Sequence, residues 1–270
     1  DQGEIDEEQA GEVVGIAGNV SCEIILIVED NADVRAYIRE QLENSYRVIE
    51  AANGQEGIAK AQETIPDLII TDVMMPKMDG YQFTRKIRGD EKTSHIPIVM
   101  LTAKAGLDDK IEGLEKGVDV YLTKPFSAKE LKVQVRNLIT RREELRRRFS
   151  TATIIKPSEV TATSIDKAFL EKTIKCVETH FKDEQFGVED LAQEAAMSVS
   201  QLNRKLHALI AQPAGELIRS MRLQRAADLL KQNAGTVAEI SYKLGFTDQA
   251  YFSRAFKKQF GCTPSEYKKL

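Results

Sequence analysis

The chain has 270 residues, 42% hydrophobic and 30% charged, which favours a globular protein with more than one core. It lacks any run of about 18 or more apolar residues, so no membrane contact is expected. Its first twenty residues are acidic and carry no Lys or Arg, unlike a signal peptide.

The net charge of −4 is unevenly distributed along the chain. Residues 1–140 carry 16 basic and 26 acidic residues, whereas residues 141–270 carry 22 and 16. This predicts an acidic domain and a basic domain, and nucleic acid is the natural partner of the second. A solvated basic surface is the alternative.

Cysteines and histidines are scattered without metal-binding or disulfide spacing, at Cys22, Cys176 and Cys262 and at His95, His180 and His207. We expect neither a zinc site nor a disulfide framework, and a cytoplasmic location.

Short apolar segments alternate with helical ones between Ile24 and about Leu138. Strands are predicted at 24–28, 47–51, 67–71, 96–102 and 119–123, each apolar on both faces. The intervening helices are expected to open at Asn31, at Asn53 and near Asp79. These units predict an α/β doubly wound domain with a five-stranded parallel sheet and right-handed crossovers.

Polar residues close four of these strands, namely Glu29 and Asp30, Asp72, Thr102 and Lys124. Ligands of open α/β sheets bind beyond the carboxyl ends of the strands. Three carboxylates at close range need a cation among them, and Mg²⁺ prefers oxygen ligands. Asp72 alone could be a turn residue. Together the residues predict phosphoryl chemistry, with Asp72 as nucleophile and with Lys124 and Thr102 binding the phosphoryl group.

Four motifs, ILIVEDN, LIITDVMMPKMDG, IPIVMLTA and GVDVYLTKPF, resemble in order and spacing those of the receiver domain of two-component response regulators, a flavodoxin-like fold. The resemblance covers residues 22–140. It implies that Asp72 is the phospho-acceptor and that the switch pair is Thr102 with Tyr121. It also implies that Mg²⁺ is bound by Glu29, Asp30, Asp72 and the backbone carbonyl of Met74. Glu29 stands where Asp is also common, and we expect it to reach the ion through water.

Helical periodicity continues through residues 127–149 and ends in a basic cluster. A solvated helix end is the simplest interpretation of this cluster, and a two-helix dimer seam is the alternative. Residues 150–166, rich in Ser and Thr and containing Pro157, predict a linker. The predicted organisation is an acidic linker (1–21), a receiver domain (22–140), a helical extension with linker (141–166) and an all-α domain (167–270).

The basic half contains two candidate helix-turn-helix units, at 188–210 and 236–261, joined by a long amphipathic helix at 213–231. Thr236 and Glu239 predict a capping box, Gly245 a left-handed turn, and Thr263 the cap of a last helix. Two units on one rigid connector could place their second helices in successive major grooves of DNA.

The string GFTDQAYFSRAFKKQFGCTPSEYKK resembles the AraC-type DNA-binding domain, and the resemblance covers residues 167–270. It implies two sets of recognition residues, Ser198, Ser200, Gln201, Asn203 and Arg204 in the first unit, and Thr247, Asp248, Gln249, Tyr251 and Arg254 in the second. Leu202, Leu206, Phe252 and Phe256 are expected in the core. Gly187 stands where members often have a capping Ser, which should weaken the start of that helix.

These features predict a phosphorylation-controlled, sequence-specific DNA-binding transcription regulator of a two-component phosphorelay. The expected partners are double-stranded DNA, a histidine kinase domain, and a second copy in a phosphorylation-dependent homodimer. Catalysis by this chain would be limited to phosphotransfer to itself. The acidic start without Met and the domain pairing are similar to the C-terminal half of hybrid two-component proteins of Bacteroidetes, whose parent would carry the kinase and could be anchored in the inner membrane. The alternatives are a stand-alone response regulator and a phosphotransfer or protein-interaction module that does not bind DNA.

Overall fold

The computed structural model describes residues 23–103, 117–150, 157 and 163–269, with side chains through residue 144 in the second range. The predicted acidic linker and nearly all of residues 151–162 lie outside the described residues. Among the helices described, none is long and apolar enough to cross a membrane.

The acidic half contains a five-stranded parallel sheet in the order β2-β1-β3-β4-β5. The strands are β1 (Ile24–Val28), β2 (Arg47–Ala51), β3 (Leu68–Asp72), β4 (Ile98–Thr102) and β5 (Val120–Thr123), and the helices are α1 (Ala32–Leu42), α2 (Gly54–Thr64), α3 (Gly80–Gly89) and α4 (Ala128–Ser150). The strand order reverses between β1 and β3, which is the topological switch point of a doubly wound fold. The predicted fold class is confirmed.

Helices cover both faces of the sheet and enclose two apolar cores. Ile38 of α1 and Leu131 of α4 belong to the core on one face, and Ala61 of α2 and Phe83 of α3 belong to the core on the other. The central strands β1, β3 and β4 are therefore buried along their whole length. The prediction that all five strands are apolar on both faces was wrong for the edge strands β2 and β5, which have only one neighbouring strand and remain partly exposed.

Three of the receiver helices begin at the residues predicted from the sequence. The side chains of Asn31, Asn53 and Asp79 each accept hydrogen bonds from backbone N–H groups in the first turn of α1, α2 and α3. These acceptors satisfy donors that a helix cannot satisfy internally. The turns therefore end each strand sharply at the carboxyl edge of the sheet.

The described residues of the basic half form helices joined by short turns and loops, with no strand among them. Its elements are α5 (Ser164–Thr179), α6 (Val188–Glu194), α7 (Val199–Ile210), α8 (Ala214–Lys231), α9 (Val237–Lys243), α10 (Gln249–Phe260) and α11 (Pro264–Tyr267). Helix pairs α6–α7 and α9–α10 form the two predicted units. The connector α8 contributes Leu217 to the core of the first unit and Leu223 to the core of the second, so it joins two separate cores rigidly.

The structure corrects the predicted start of α5 and shows how the start of α6 is built. Helix α5 begins at Ser164, inside the stretch predicted as linker, because the Thr163 side chain accepts a hydrogen bond from the Asp166 N–H. Helix α6 lacks a capping side chain at Gly187, but the Gly187 N–H donates to the Asp190 carboxylate at 2.8 Å. The start of α6 therefore keeps half of a capping box.

Candidate functional site

The carboxyl edge of the sheet brings together the side chains that the sequence predicted to meet there. Asp72 is the last residue of β3 and is 7% exposed, and its Oδ1 accepts a hydrogen bond from the Val73 N–H at 2.9 Å. Ligand oxygens of Glu29, Asp30 and Asp72 all lie within 4.8 Å of one another. Glu29 is 1% exposed, whereas Asp30 is open to solvent. The three carboxylates therefore form a compact acidic group with one accessible side.

Lys124 provides positive charge beside two of these carboxylates. Its Nζ lies 2.8 Å from Glu29 Oε2 and 3.0 Å from Asp72 Oδ2. Burial raises the pKa of Glu29, and the nearby Asp72 raises it further, while the hydrogen bond from Lys124 opposes both effects. Burial works against the charge on Lys124, but hydrogen bonds to Glu29 and Asp72 raise its pKa overall.

One ammonium against three carboxylates leaves a net negative site. The donor set consists of oxygens, and one side is open, which suits a hard divalent cation that retains some of its water ligands. Met74, whose carbonyl is predicted to face the ion, lies in the loop after β3 and is 74% exposed. The residues present therefore fit a magnesium ion.

The loop after β3 is held tightly against the strand end by Gly80. Its N–H donates to the Val73 carbonyl at 2.9 Å, and a Cβ at this position would overlap the carbonyl oxygen of Asp72. Any side chain here would displace Asp72 itself. The glycine in the MMPKMDG motif therefore fixes the position of the candidate nucleophile.

Thr102 and Tyr121 lie beside the acidic group on adjacent strands. Thr102 ends β4 and is buried, and Tyr121 in β5 is half-buried. Met100 pairs with Tyr121 and Thr102 with Thr123, so Thr102 and Tyr121 lie on the same face of the sheet, one pleat apart. This placement is compatible with the predicted switch pair.

The second helix-turn-helix unit presents its predicted recognition residues to solvent. Thr247, Asp248, Gln249, Tyr251 and Arg254 are all exposed. Asp248 is also the N-cap of α10, and its carboxylate accepts a hydrogen bond from the Ala250 N–H at 2.7 Å. The predicted core residues Phe252 and Phe256 are fully buried on the opposite side.

The first unit has the same form, but its predicted residues have partners within the chain. Ser198 caps α7, and the Asn203 side-chain oxygen accepts a hydrogen bond from the Ala214 N–H at 2.9 Å, which anchors the start of α8. Gln201 and Arg204 contact the receiver half. Ser200 alone among these five is both exposed and without a structural role in the contacts described for this region.

Sequence reasoning missed one charged group of the first unit. Lys205 is fully buried and pairs with Asp166, whose Oδ1 lies 2.9 Å from the lysine Nζ. Burial lowers the pKa of Lys205, although Asp166 opposes the shift. The available signal was its position on the apolar stripe of α7, between Leu202 and Leu209, where a solvated lysine would not be expected.

A doubly wound domain with an acidic carboxyl edge, followed by two helix-turn-helix units on one connector, defines the class of two-component response regulators with a helix-turn-helix output domain. Family comparison agrees with this class. The model of the response regulator receiver domain matches residues 25–136, and the model of a helix-turn-helix domain, of the AraC type, matches residues 191–270. The chain therefore contains a receiver domain and a helix-turn-helix domain at these residues.

Among known proteins, histidine kinase P4 of Formosa agariphila is 44% identical over 243 residues, which cover 90% of this chain and 18% of that protein. A DNA-binding dual master transcriptional regulator of Synechocystis is 41% identical over 122 residues, which cover 45% of this chain and 51% of that protein. The chain thus spans a small part of the first relative and about half of the second.

Among solved structures, the receiver domain of a sensor histidine kinase from Pseudomonas aeruginosa has a magnesium ion coordinated in its active-site cleft. It is 36% identical to this chain, with a TM-score of 0.42, and the match covers 44% of this chain and 98% of that one.

Proposed function

We propose that this chain accepts a phosphoryl group on Asp72 from a phosphohistidine and that the modified carboxylate controls sequence-specific binding to double-stranded DNA. The observation that carries the proposal is the meeting of Asp72 with Glu29, Asp30 and Lys124 at one edge of the sheet. The exposed face of α10 supplies the DNA-binding surface that the switch would control.

In the transfer, a carboxylate oxygen of Asp72 attacks the phosphorus atom, and the P–N bond to the histidine breaks. The electron pair of that bond returns to the imidazole nitrogen, which takes up a proton, and Asp72 becomes an acyl phosphate. Lys124 already lies 3.0 Å from Asp72 and is placed to pair with a phosphoryl oxygen. Burial of Asp72 limits access of bulk water to the acyl phosphate.

A magnesium ion would be held by the carboxylates of Glu29, Asp30 and Asp72 and by the Met74 carbonyl. When bound, it supplies positive charge against the oxygens of the transferred group. The longer Glu29 side chain is already engaged by Lys124 at 2.8 Å and by the Asn31 N–H at 3.2 Å, so it contributes charge from a fixed position.

The acyl phosphate would accept a hydrogen bond from the Thr102 hydroxyl, and Tyr121 would follow Thr102 inward. These contacts exist only in the phosphorylated state, and a modification shifts a conformational population only through such differential contacts. The shift would favour a homodimer formed around β4 and β5 and bound to DNA.

On DNA, Gln249 and Arg254 would read base edges, since amide and guanidinium groups can bind bases through two hydrogen bonds. Lys257 and Lys258, at the other end of α10, would contact phosphates.

The test treats the whole chain with acetyl phosphate and Mg²⁺ and measures phosphoryl incorporation, dimerisation and DNA binding. Wild type should respond in all three, and Asp72→Asn in none. Asp33→Asn is the matched control, because Asp33 is an exposed carboxylate in the first turn of α1, beside the same sheet edge but outside the acidic group. Identical behaviour of wild type and Asp72→Asn would refute the proposal.

We also propose that the chain is the output half of a hybrid sensor histidine kinase, whose parent supplies the kinase and could be anchored in the inner membrane. The alignment of 90% of the chain with a histidine kinase supports this over a stand-alone regulator. Sequencing the parent gene upstream decides the matter: a kinase domain in the same reading frame is expected, and a start codon close to residue 1 would refute it.

A protein-interaction module without DNA binding is the competing function. Phosphate contacts release counterions, so DNA binding by this chain should weaken steeply with salt. Absence of binding to duplex DNA even at low salt would favour the competing function.

A further inference from the structure

The two recognition helices can be compared residue by residue. Helices α7 and α10 are both 12 residues long, and each starts at a cap whose side chain accepts a backbone hydrogen bond, Ser198 in one and Asp248 in the other. Counted from these caps, Gln201 corresponds to Tyr251 and Arg204 to Arg254. The pair in α10 is exposed, whereas the pair in α7 is half-buried against the receiver half.

The contacts of Gln201 and Arg204 are with the end of α2. Gln201 Nε2 donates to the Gln62 carbonyl at 2.7 Å, and Arg204 Nε donates to the Ile65 carbonyl at 3.0 Å. The last carbonyls of a helix have no partner within it and carry the negative end of its dipole, so they suit cationic and amide donors. Arg204 also pairs with the Asp67 carboxylate at 2.8 Å.

Lys205, the next residue of α7, also contacts the receiver half, through a buried polar cluster. Its ammonium pairs with Asp166 of α5 and donates to the Glu91 carbonyl of the receiver half. The Ser94 hydroxyl, also from the receiver half, donates to Asp166 at 2.7 Å. A buried lysine is stable only when its charge is compensated and its donors are used. The receiver supplies part of that environment.

All of these contacts lie at the amino edge of the receiver sheet. Asp67 precedes β3 and accepts a hydrogen bond from the Ile24 N–H at the start of β1. Asp72 ends β3 five residues later, about 17 Å away along the strand. The docked α7 therefore leaves the carboxyl edge free for phosphoryl transfer.

We propose that the amino edge of the receiver sheet is a docking surface for α7 of the same chain, and that it competes with duplex DNA for the recognition face of the first helix-turn-helix unit. The proposal rests on the DNA binding proposed above. In the docked state the chain engages DNA through the second unit alone. The apparent affinity for DNA through both units is proportional to the fraction of molecules in which α7 is undocked. Release of α7 should therefore tighten binding.

The test uses the whole chain and a pool of random-sequence duplex DNA at low salt. Ser94→Trp places a large uncharged side chain in the buried contact without changing any residue of the helical half. Ser45→Trp is the matched control, because Ser45 is exposed between α1 and β2 and has no described contact with the helical half. Phosphoryl incorporation at Asp72, on the opposite edge, verifies that each variant keeps a folded receiver.

The first readout is acylation of lysines by an amine-reactive reagent, followed by mass spectrometry. In wild type and Ser45→Trp, Lys205 should react at least about tenfold more slowly than the exposed Lys243, because the helical half and the docked receiver together bury it. In Ser94→Trp the protection of Lys205 should decrease. Equal reactivity of Lys205 and Lys243 in wild type overturns the docking, whatever the variants do.

The second readout is DNA affinity. Ser94→Trp should bind about tenfold more tightly than wild type and Ser45→Trp. Deprotection of Lys205 with unchanged DNA affinity overturns the competition. Absence of DNA binding by all three proteins, with Lys205 still protected in wild type, overturns the proposed DNA-binding function instead and is thereby distinguished from failure of the docking.

Discussion

The two helix-turn-helix units share a plan but are stabilised differently. The second has an aromatic interior, in which Phe252 contacts Phe246 and Phe256, and Phe256 contacts Tyr267 of α11. The first has a mainly aliphatic interior that also contains Phe169 and Phe186. It has a buried ion pair at its margin, where the second unit has Ala255 in place of Lys205. The contacts described for the second unit lie within the helical half, whereas the first unit also contacts the receiver half. Two copies of one motif in the same chain can thus make different contacts.

The largest effect is expected from breaking the buried ion pair of the first unit, which the second unit lacks. Asp166→Asn would leave the Lys205 ammonium buried without a counter-charge, and should lower the free energy of unfolding by about 3 kcal/mol. Urea denaturation measures it. Glu171→Gln, in the exposed pair with Lys167 on the same helix, should cost less than about 0.5 kcal/mol. If both substitutions lower the free energy of unfolding equally, the buried pair stabilises the first unit no more than an exposed pair does.

A second prediction compares the two corresponding arginines on DNA. Arg254→Ala should weaken binding by about 2 kcal/mol, whereas Arg204→Ala should weaken it less, because it also removes contacts that hold α7 on the receiver. Repeating both changes in the Ser94→Trp background should make the two losses similar. If Arg204→Ala is already as damaging as Arg254→Ala in the wild-type background, the two units are equally engaged and the comparison fails.

The caps of the first helices provide a smaller contrast. Thr236→Ala should destabilise the protein by about 1 kcal/mol, because the Thr236 hydroxyl accepts the Glu239 N–H at the start of α9. Gly187→Ser should stabilise it by a few tenths of a kcal/mol, because it supplies the side-chain acceptor that α6 lacks. Thermal unfolding of the two variants measures both effects, and a stabilising Thr236→Ala would contradict the capping argument.

The smallest effect is a pH dependence of the second unit. Hydrogen bonds from the Thr236 backbone and side chain lower the pKa of Glu239, and Thr263 lowers the pKa of Glu266 in the same way. A lowered pKa means that the folded state favours the ionised form. The stabilisation is therefore full above the ordinary value of 4.5 and is lost as the pH falls through the folded-state pKa. Urea midpoints of wild type and Glu239→Gln, measured from neutral to acid pH, should converge on acidification.

Much of the fold follows from local sequence signals. Asn31, Asn53 and Asp79 mark helix starts because their short polar side chains satisfy first-turn donors whatever the surrounding structure. Strand ends were harder to place, and β3 extends one residue further than predicted, to Asp72 itself. Asp72, Glu29 and Lys124 could be grouped in advance because parallel strands bring their carboxyl ends to one edge.

The docking contact could not be derived in this way. Arg204 and Asp67 are 137 positions apart, and no periodicity or motif links them. The sequence presented Gln201 and Arg204 as ordinary recognition residues, since amide and guanidinium groups suit base edges and backbone carbonyls equally well. Asn203 was likewise predicted at the DNA surface, whereas its side-chain amide oxygen accepts the hydrogen bond that anchors α8. Which partner such a group takes depends on how the two halves pack, which local pattern does not encode.

Three of the acceptors that hold α7 are main-chain carbonyls, those of Gln62, Ile65 and Glu91. A receiver domain with the same backbone conformation at these positions presents the same carbonyl oxygens, whatever its side chains are. The receiver sequence can therefore diverge at these positions without loss of that part of the contact, and a foreign receiver with the same loop lengths should inherit it in a chimera. Among the hydrogen-bonding side chains of the receiver named above, Ser94 and Asp67 would need to be transplanted with it.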